Sequence, residues 1–323
     1  MFISRTNLVI FGFAAFVAVG CDPLPRKGLG EMDFGPKLLS MPVQEVVKHA
    51  APPKPVKAVK ARVTTRKANT NGKILVLEYH KLSGKNTLLD RTPASFRKDL
   101  EKLYKLGYRP VLASEWLDDK MDLAPGASPV IMTFDDAHES QFILDKNGKI
   151  SRNSFVGIWQ QFAEKHPDFP VHGTFFILPP YPFGQVKLID HKIKMLQAMG
   201  SEVASHTWHH KNLSVQTDET VKKEIATSLD WLEKFGVTNP TLAFPYGNRP
   251  RNMKLMEGFT YNGKQYHVKG SFLAAGEPSD PINGKKFNRY QIRRVVACEN
   301  EGGSTYWLNV MSKGKKFAPY VAP

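Results

Sequence analysis

An α/β fold, with helices packed outside a parallel sheet, is predicted by three features of this sequence. From Lys73 onward, short apolar runs alternate with longer stretches whose apolar residues repeat at helical spacing. The strongest run, Pro129-Val130-Ile131-Met132, is apolar at every position rather than at alternate ones. A strand of that kind is buried on both faces and belongs to a parallel sheet or an α/β barrel. The chain has 323 residues, and those after Lys73 suffice for one barrel of about 250.

Each element has its own signal. Residues 74–79 form an apolar run, the first expected strand, ending at His80. Thr92-Pro93 opens a helix as cap and first helical residue. Phe96, Leu100 and Leu103 are its apolar face, and Gly107 stops it. The central strand runs from Pro129 to the acidic pair Asp135-Asp136. Asn147-Gly148, between Ile143 and Ile150, suggests a small hairpin. Residues 154–166 read as a helix, 173–178 as a strand, 188–199 as a helix stopped by Gly200, and 202–205 as a short strand. The clearest helix is 217–235, with Val221, Ile225, Leu229 and Leu232 on one face. Residues 241–244, 270–275 and 290–297 read as later strands, and 304–313 as a terminal helix. No internal repeat is present.

Three regions follow, with a front end that is compositionally distinct. Residues 1–20 read as a signal peptide, because the apolar segment 8–19 is too short to cross about 30 Å of hydrocarbon. It ends Ala18-Val19-Gly20-Cys21, a lipobox-like site. Cleavage before Cys21 frees that thiol for lipid, which implies an exported protein anchored in the bacterial cell envelope. An ordinary signal peptide with a chance cysteine is the alternative. With Cys21 acylated, Cys298 lacks a partner, which excludes a disulfide framework. Cys298 follows Val295-Val296-Ala297 and reads as a small buried apolar residue.

Residues 21–72 read as a basic tether, and 73–323 as the catalytic domain. Seven prolines punctuate the tether, and 52–60 should be extended. Between Asp22 and Lys73 eleven Lys or Arg stand against four Asp or Glu, a net +7, about half of the chain's +15. Nucleic acid is excluded as a partner, since no aromatic residues interleave the basic ones as a stacking surface needs. An anionic membrane face or a cell-wall polymer fits the charge better; simple solvation of an extended arm fits it too.

Three strand ends carry candidate chemistry. Asp135 and Asp136 repel each other unless a cation lies between or beside them. One can then ligate a metal while the other acts as a base on water. Taken alone, the pair also fits an ordinary turn. His206 and His210 are spaced i, i+4, which on a helical turn places both imidazoles on one face, within reach of one metal. Phe244-Pro245-Tyr246-Gly247 ends a third apolar segment and offers a backbone N–H and an aromatic wall.

In this order, the pieces resemble the polysaccharide deacetylases of the NodB-homology type, carbohydrate esterase family 4. Thr133-Phe134-Asp135-Asp136 looks like the first motif of that family. His206-Thr207-Trp208-His209-His210 looks like its second, Phe244-Pro245-Tyr246-Gly247 like the end of its third, and Gly173-Thr174-Phe175-Phe176 like its second-strand segment. The opening ILVLEYHKL, the Phe-containing helix and GYRPV resemble the branch that deacetylates poly-N-acetylglucosamine. The resemblance implies a distorted (β/α) barrel with fewer than eight regular strands. It implies a metal-dependent hydrolase that removes N-acetyl groups from an N-acetylglucosamine-containing polysaccharide.

The roles the resemblance implies are specific. Asp136, His206 and His210 hold one divalent metal; two imidazoles and a carboxylate suit Zn²⁺, and Co²⁺, Ni²⁺ or Fe²⁺ fit the same ligands. Asp135 is the general base, and His80 the general acid, with His267 as its alternative. Tyr246, in the turn opened by Pro245, supplies an oxyanion N–H, and Trp208 flanks the sugar or joins the core. Two positions depart from the family pattern. Ala243 stands where many members carry an arginine that holds the base, so Asp135 must be held in another way. Ala137 replaces the usual glycine after the acidic pair. An O-acetyl polysaccharide esterase and a non-catalytic, lipid-anchored glycan-binding module on the same fold are the rival readings.

Overall fold

The computed structural model describes residues 66–274 and 276–323. The leader, Cys21 and residues 21–65 of the expected tether lie outside the described residues. In chain order the strands are β1 Leu75–Tyr79, β2 Lys81–Leu82, β3 Asp90–Arg91, β4 Tyr108–Pro110, β5 Ser128–Phe134 and β6 Thr174–Ile177. They continue as β7 Glu202–Ser205, β8 Leu242–Ala243, β9 Phe259–Tyr261, β10 Lys264–Tyr266, β11 Ser271–Phe272 and β12 Val295–Val296. The helices are α1 Pro93–Lys105, α2 Ala113–Leu117, α3 Phe155–Lys165, α4 Ile189–Ala198, α5 Asp218–Glu233 and α6 Ser304–Ser312.

Eight strands form one curled sheet, seven of them in the order β11-β8-β7-β6-β5-β1-β12 with every neighbouring pair parallel and β4 beside β5. β4 pairs with β5 at residues 128–130, and β6 takes over the same edge at Thr133. The two ends of the sheet meet through one segment. Ser271 N–H bonds to Arg289 O and Leu273 N–H to Ile292 O, each at 2.8 Å; Ala297 N–H then bonds to Glu78 O in β1 at 3.0 Å. The result is the distorted barrel that was expected. The last two strands are shorter than the patterns at 270–275 and 290–297 suggest. The second is divided because its bonding changes partner midway, from β11 to β1.

Local chemistry sets the helix starts. The side chains of Thr92, Ser154 and Thr217 accept from the N–H groups of Ser95, Gly157 and Thr220, capping α1, α3 and α5. The expected hairpin around Asn147-Gly148 is a tight turn with a single antiparallel bridge, Leu144 to Ile150, and no strands. Arg66 already bonds the body, its guanidinium donating to the carbonyls of Gly107 and Gly126. No helix among the described residues is long and apolar enough to cross a membrane.

Alternate residues of a strand face opposite ways, and this sorts the core into two layers. Outward-facing Leu75, Leu77, Val130, Met132, Phe134 and Phe175 pack against Phe96, Leu100, Trp159 and Ile193 of the helices. Phe134 stacks on Phe175 at 4.7 Å and on Tyr79 at 5.3 Å. The inward set is graded. Ile74, Val76, Ile131, Phe176, Ala204, Ala243, Phe272 and Ile292 fill the amino end, where Trp116 of α2 packs with them. Further along β1, β5, β7 and the segment before β12 the side chains turn polar: Glu78, Thr133 and Arg294, then His80, Asp135 and His206. The carboxyl ends of the strands are therefore where charge is concentrated.

One charge is buried among the helices instead. Lys192 of α4 is fully buried and donates to Phe183 O at 2.7 Å. Burial pushes its amine down from 10.5 to about 7. The unfolded chain then binds more protons between those values, so stability should rise as pH climbs from 7 toward 10.5 and stay flat below. Lys192→Met should remove that rise. Urea midpoints of both proteins across this window, compared as a difference, check it; equal slopes would contradict it.

Candidate active site and metal centre

Three turns at strand ends build the site, and each is held in strained backbone. Asp136 and Ala137 follow β5 at φ 68° and 49°, Thr207 and His210 follow β7 at 68° and 55°, and Tyr246 follows β8 at 59°. Left-handed backbone of this sort costs a non-glycine residue about 1–2 kcal/mol. Five of the nine described non-glycine residues at positive φ lie in these turns, so strain collects where the chemistry does. At Ala137 the strain is one that a glycine would not carry. Gly247 also sits at positive φ, and a Cβ there would lie 2.5 Å from the Ala274 nitrogen.

The predicted triad comes together. Asp136 Oδ1 lies 3.3 Å from His206 Nε2 and 3.4 Å from His210 Nε2. A tetrahedral ion bound at the usual 2.0–2.1 Å has ligand atoms about 3.3 Å apart, so these side chains need little movement to hold one. The correction concerns how they meet. His206 and His210 are not on a helical turn; the left-handed Thr207 and His210 forbid one, and the loop folds back to bring the rings to 4.9 Å between centroids. His206 Nδ1 donates to Ala243 O at 2.9 Å, which leaves Nε2 facing the acids.

Charge also favours a cation. Asp135, Asp136 and Glu78 crowd around a single fixed positive group, Arg294. Burial raises the carboxyl of Asp136, but His206 outweighs it and holds the acid far below its usual range. Burial lowers His206, but the aspartates, Asp135 first, outweigh it and raise the imidazole above its ordinary value. Burial and His206 depress His210 to about 4. A divalent ion would displace any proton on these groups and be bound by the two imidazoles and the carboxylate.

Asp135 is held apart from that role. Arg294 grips it with two parallel bonds, Nη1 to Oδ1 at 2.6 Å and Nη2 to Oδ2 at 2.7 Å. Arg294 also donates to Thr133 Oγ1 and Leu273 O, and its Nε lies 3.4 Å from Glu78 Oε2. All these side chains are buried. Burial raises Asp135, but Arg294, then His206, outweigh it and keep the carboxyl below its ordinary value. The departure at Ala243 is thus answered from another strand end: Arg294 precedes β12. Sequence reasoning missed it, though an arginine opening the apolar run Val295-Val296-Ala297 demands a buried partner. Glu78, inside the run ILVLEY, was the matching signal.

His80 joins the same cluster. Its Nε2 lies 3.6 Å from Glu78 Oε1, and Glu78, His80 and Asp135 offer ligand atoms within 4.8 Å of one another. Gln141 ties the two loops, its Nε2 donating to His80 O at 2.6 Å and Asp135 O at 2.5 Å. His267 lies four residues before β11, at the amino end of the barrel, and is not near this cluster. The Tyr246 ring packs against His210 at 4.6 Å between centroids, the planes tilted by 60°, and is 47 % exposed, so it forms a wall of the cleft. Pro245 is buried beneath it. Trp208 is half-buried on the histidine loop, its ring 6.3 Å from that of His209.

Comparison with known proteins bears on the fold and on the family. Residues 123–262 match the family model for polysaccharide deacetylase. That segment contains Asp135, Asp136, His206, His210 and Tyr246; Glu78, His80 and Arg294 lie outside it. Among solved structures, Streptococcus pyogenes deacetylase PplD superposes with a TM-score of 0.54 at 18 % identity, over 75 % of this chain and 99 % of its own. A polysaccharide deacetylase from Bacillus cereus gives 0.52 at 19 %, over 71 % of this chain and 66 % of that longer one. A de-N-acetylase from Aggregatibacter actinomycetemcomitans gives 0.50 at 14 %, over 73 % and 99 %. These identities speak for the fold alone. No curated protein matches the chain.

Proposed function

We propose that this chain, which belongs to the polysaccharide deacetylase family through residues 123–262, is a metal-dependent amide hydrolase. It removes acetyl groups from N-acetylglucosamine units of a polysaccharide. The observation that carries the reading is the Asp136, His206 and His210 triad beside a carboxylate, Asp135, that Arg294 holds separately. A divalent cation, Zn²⁺ by this donor set, supplies a more acidic water and a polarised acetyl carbonyl. Asp135 accepts the proton of the attacking water. Arg294 fixes the direction of that carboxylate and keeps it ionised. The N–H of Tyr246 donates to the developing oxyanion, and its ring limits where the sugar lies. His80 gives a proton to the departing amine.

Release of acetate from N-acetylated and O-acetylated oligosaccharides, with and without a chelator, tests the reading. The N-acetylated substrate should lose acetate, and the chelator should stop it. Activity on the O-acetylated substrate alone makes the chain an esterase. Activity on neither makes it a binding module, which the intact triad argues against.

The same reading places the protein outside the cytoplasm, held to a membrane by lipid on Cys21 after residues 1–20 are removed. What supports it is the short apolar leader ending at Cys21 and the basic, proline-rich arm that follows. Cys21→Ser should leave the protein unprocessed or free of membranes; a variant that is cleaved normally and stays membrane-bound would show that lipid is not the anchor.

A further inference from the structure

The loop that carries both histidine ligands is fastened from behind by one helix. Glu224 of α5 is 2 % exposed and meets His209 twice: Oε2 accepts from the His209 N–H and Oε1 pairs with His209 Nδ1, both at 2.7 Å. Lys211 Nζ adds a third contact to Oε1 at 3.3 Å. One turn along the same helix, the Ser228 hydroxyl bonds Ser205 Oγ at 2.8 Å, and Ser205 Oγ in turn accepts from the Thr207 N–H at 3.1 Å. The two fastenings bracket the loop. Between and beside them stand Thr207 and His210, both in left-handed backbone.

That backbone does not persist by itself, because neither residue prefers it. His206 is further fixed by Ala243 O, but among the described residues no hydrogen bond to a backbone carbonyl holds the ring of His210, which packs against Tyr246. Besides that ring contact, its direction depends on the backbone of His209 immediately before it, and so on Glu224. We propose that Glu224 is a positioning residue for the metal centre, setting the His209-His210 backbone so that His210 Nε2 faces Asp136. This rests on the metal reading above. Glu224 touches neither substrate nor ion; it acts through the loop.

Groups outside the first ligand shell typically change metal affinity by about 10–100-fold, and that is the loss expected here. Zinc affinity of the full chain, measured by competition with a chromophoric chelator, is the readout, beside thermal unfolding of the metal-free proteins. Glu224→Ala should bind zinc at least tenfold more weakly. Glu224→Gln keeps one acceptor for the His209 N–H and should fall between. Ile225→Val, on the same helix but facing the core, should lower stability and leave zinc affinity unchanged, so general weakening of α5 is distinguishable. If Glu224→Ala does not fold, Glu224→Gln carries the test. Wild-type zinc affinity in a folded Glu224 variant overturns the proposal, as does an equal loss in Ile225→Val. A wild-type protein that binds no zinc overturns the metal reading itself.

Discussion

Asp135→Asn should keep its metal and lose its turnover. The triad does not include Asp135, whose two oxygens are occupied by Arg294, so the amide substitution leaves Asp136, His206 and His210 in place. What it removes is the proton acceptor. General-base catalysis contributes roughly 10²–10⁴-fold, and turnover should fall by at least the lower figure while substrate still binds. Asp136→Asn should behave in the opposite order, with metal lost first, because a neutral amide is the poorer ligand. Steady-state acetate release by each variant, against the wild type at equal zinc, checks this. Near-normal turnover in Asp135→Asn would mean that another group takes the proton.

Arg294→Met should be costly to the fold as well as to the reaction. The guanidinium is fully buried between Asp135 and Glu78, each 2 % exposed. Removing it leaves two buried carboxylates facing each other without their common partner. Breaking a buried ion pair in this way costs about 3–5 kcal/mol. The acids should respond by taking up a proton, which also disables Asp135 as a base. Arg294→Lys keeps the charge but not the two parallel bonds, and should recover part of the stability and less of the turnover. Urea unfolding with activity at matched pH measures both. An Arg294→Met protein that unfolds at the wild-type midpoint would mean that the pairing contributes nothing to the fold.

The barrel and the triad were legible because they depend on local pattern. The buried run into β5 and the regular apolar face of α5 specify strand and helix directly. Order along the chain then places the Asp-Asp, His-Thr-Trp-His-His and Pro-Tyr-Gly turns at one end of a parallel sheet. What the sequence concealed depends on contacts between distant segments. Arg294 lies 159 residues from Asp135, and only closure of the sheet through residues 289–297 brings them together. The helical spacing of His206 and His210 was misleading, since an i, i+4 pair also converges when a strand ends in two left-handed residues. Glu78 and Arg294 were nonetheless visible as charges inside apolar runs, and two such charges of opposite sign are reason to expect a pair.

The central claim is that Asp136, His206 and His210 hold one divalent ion on which acetate release depends. The direct test is metal content per chain beside turnover, in the same preparations, for the wild type, His206→Ala and His210→Ala. The wild type should hold about one zinc ion per chain, the number this ligand set can bind. Both variants should lose most of it, and turnover should fall with it. Wild-type metal content in both variants, or full turnover in protein stripped of metal, would contradict the assignment.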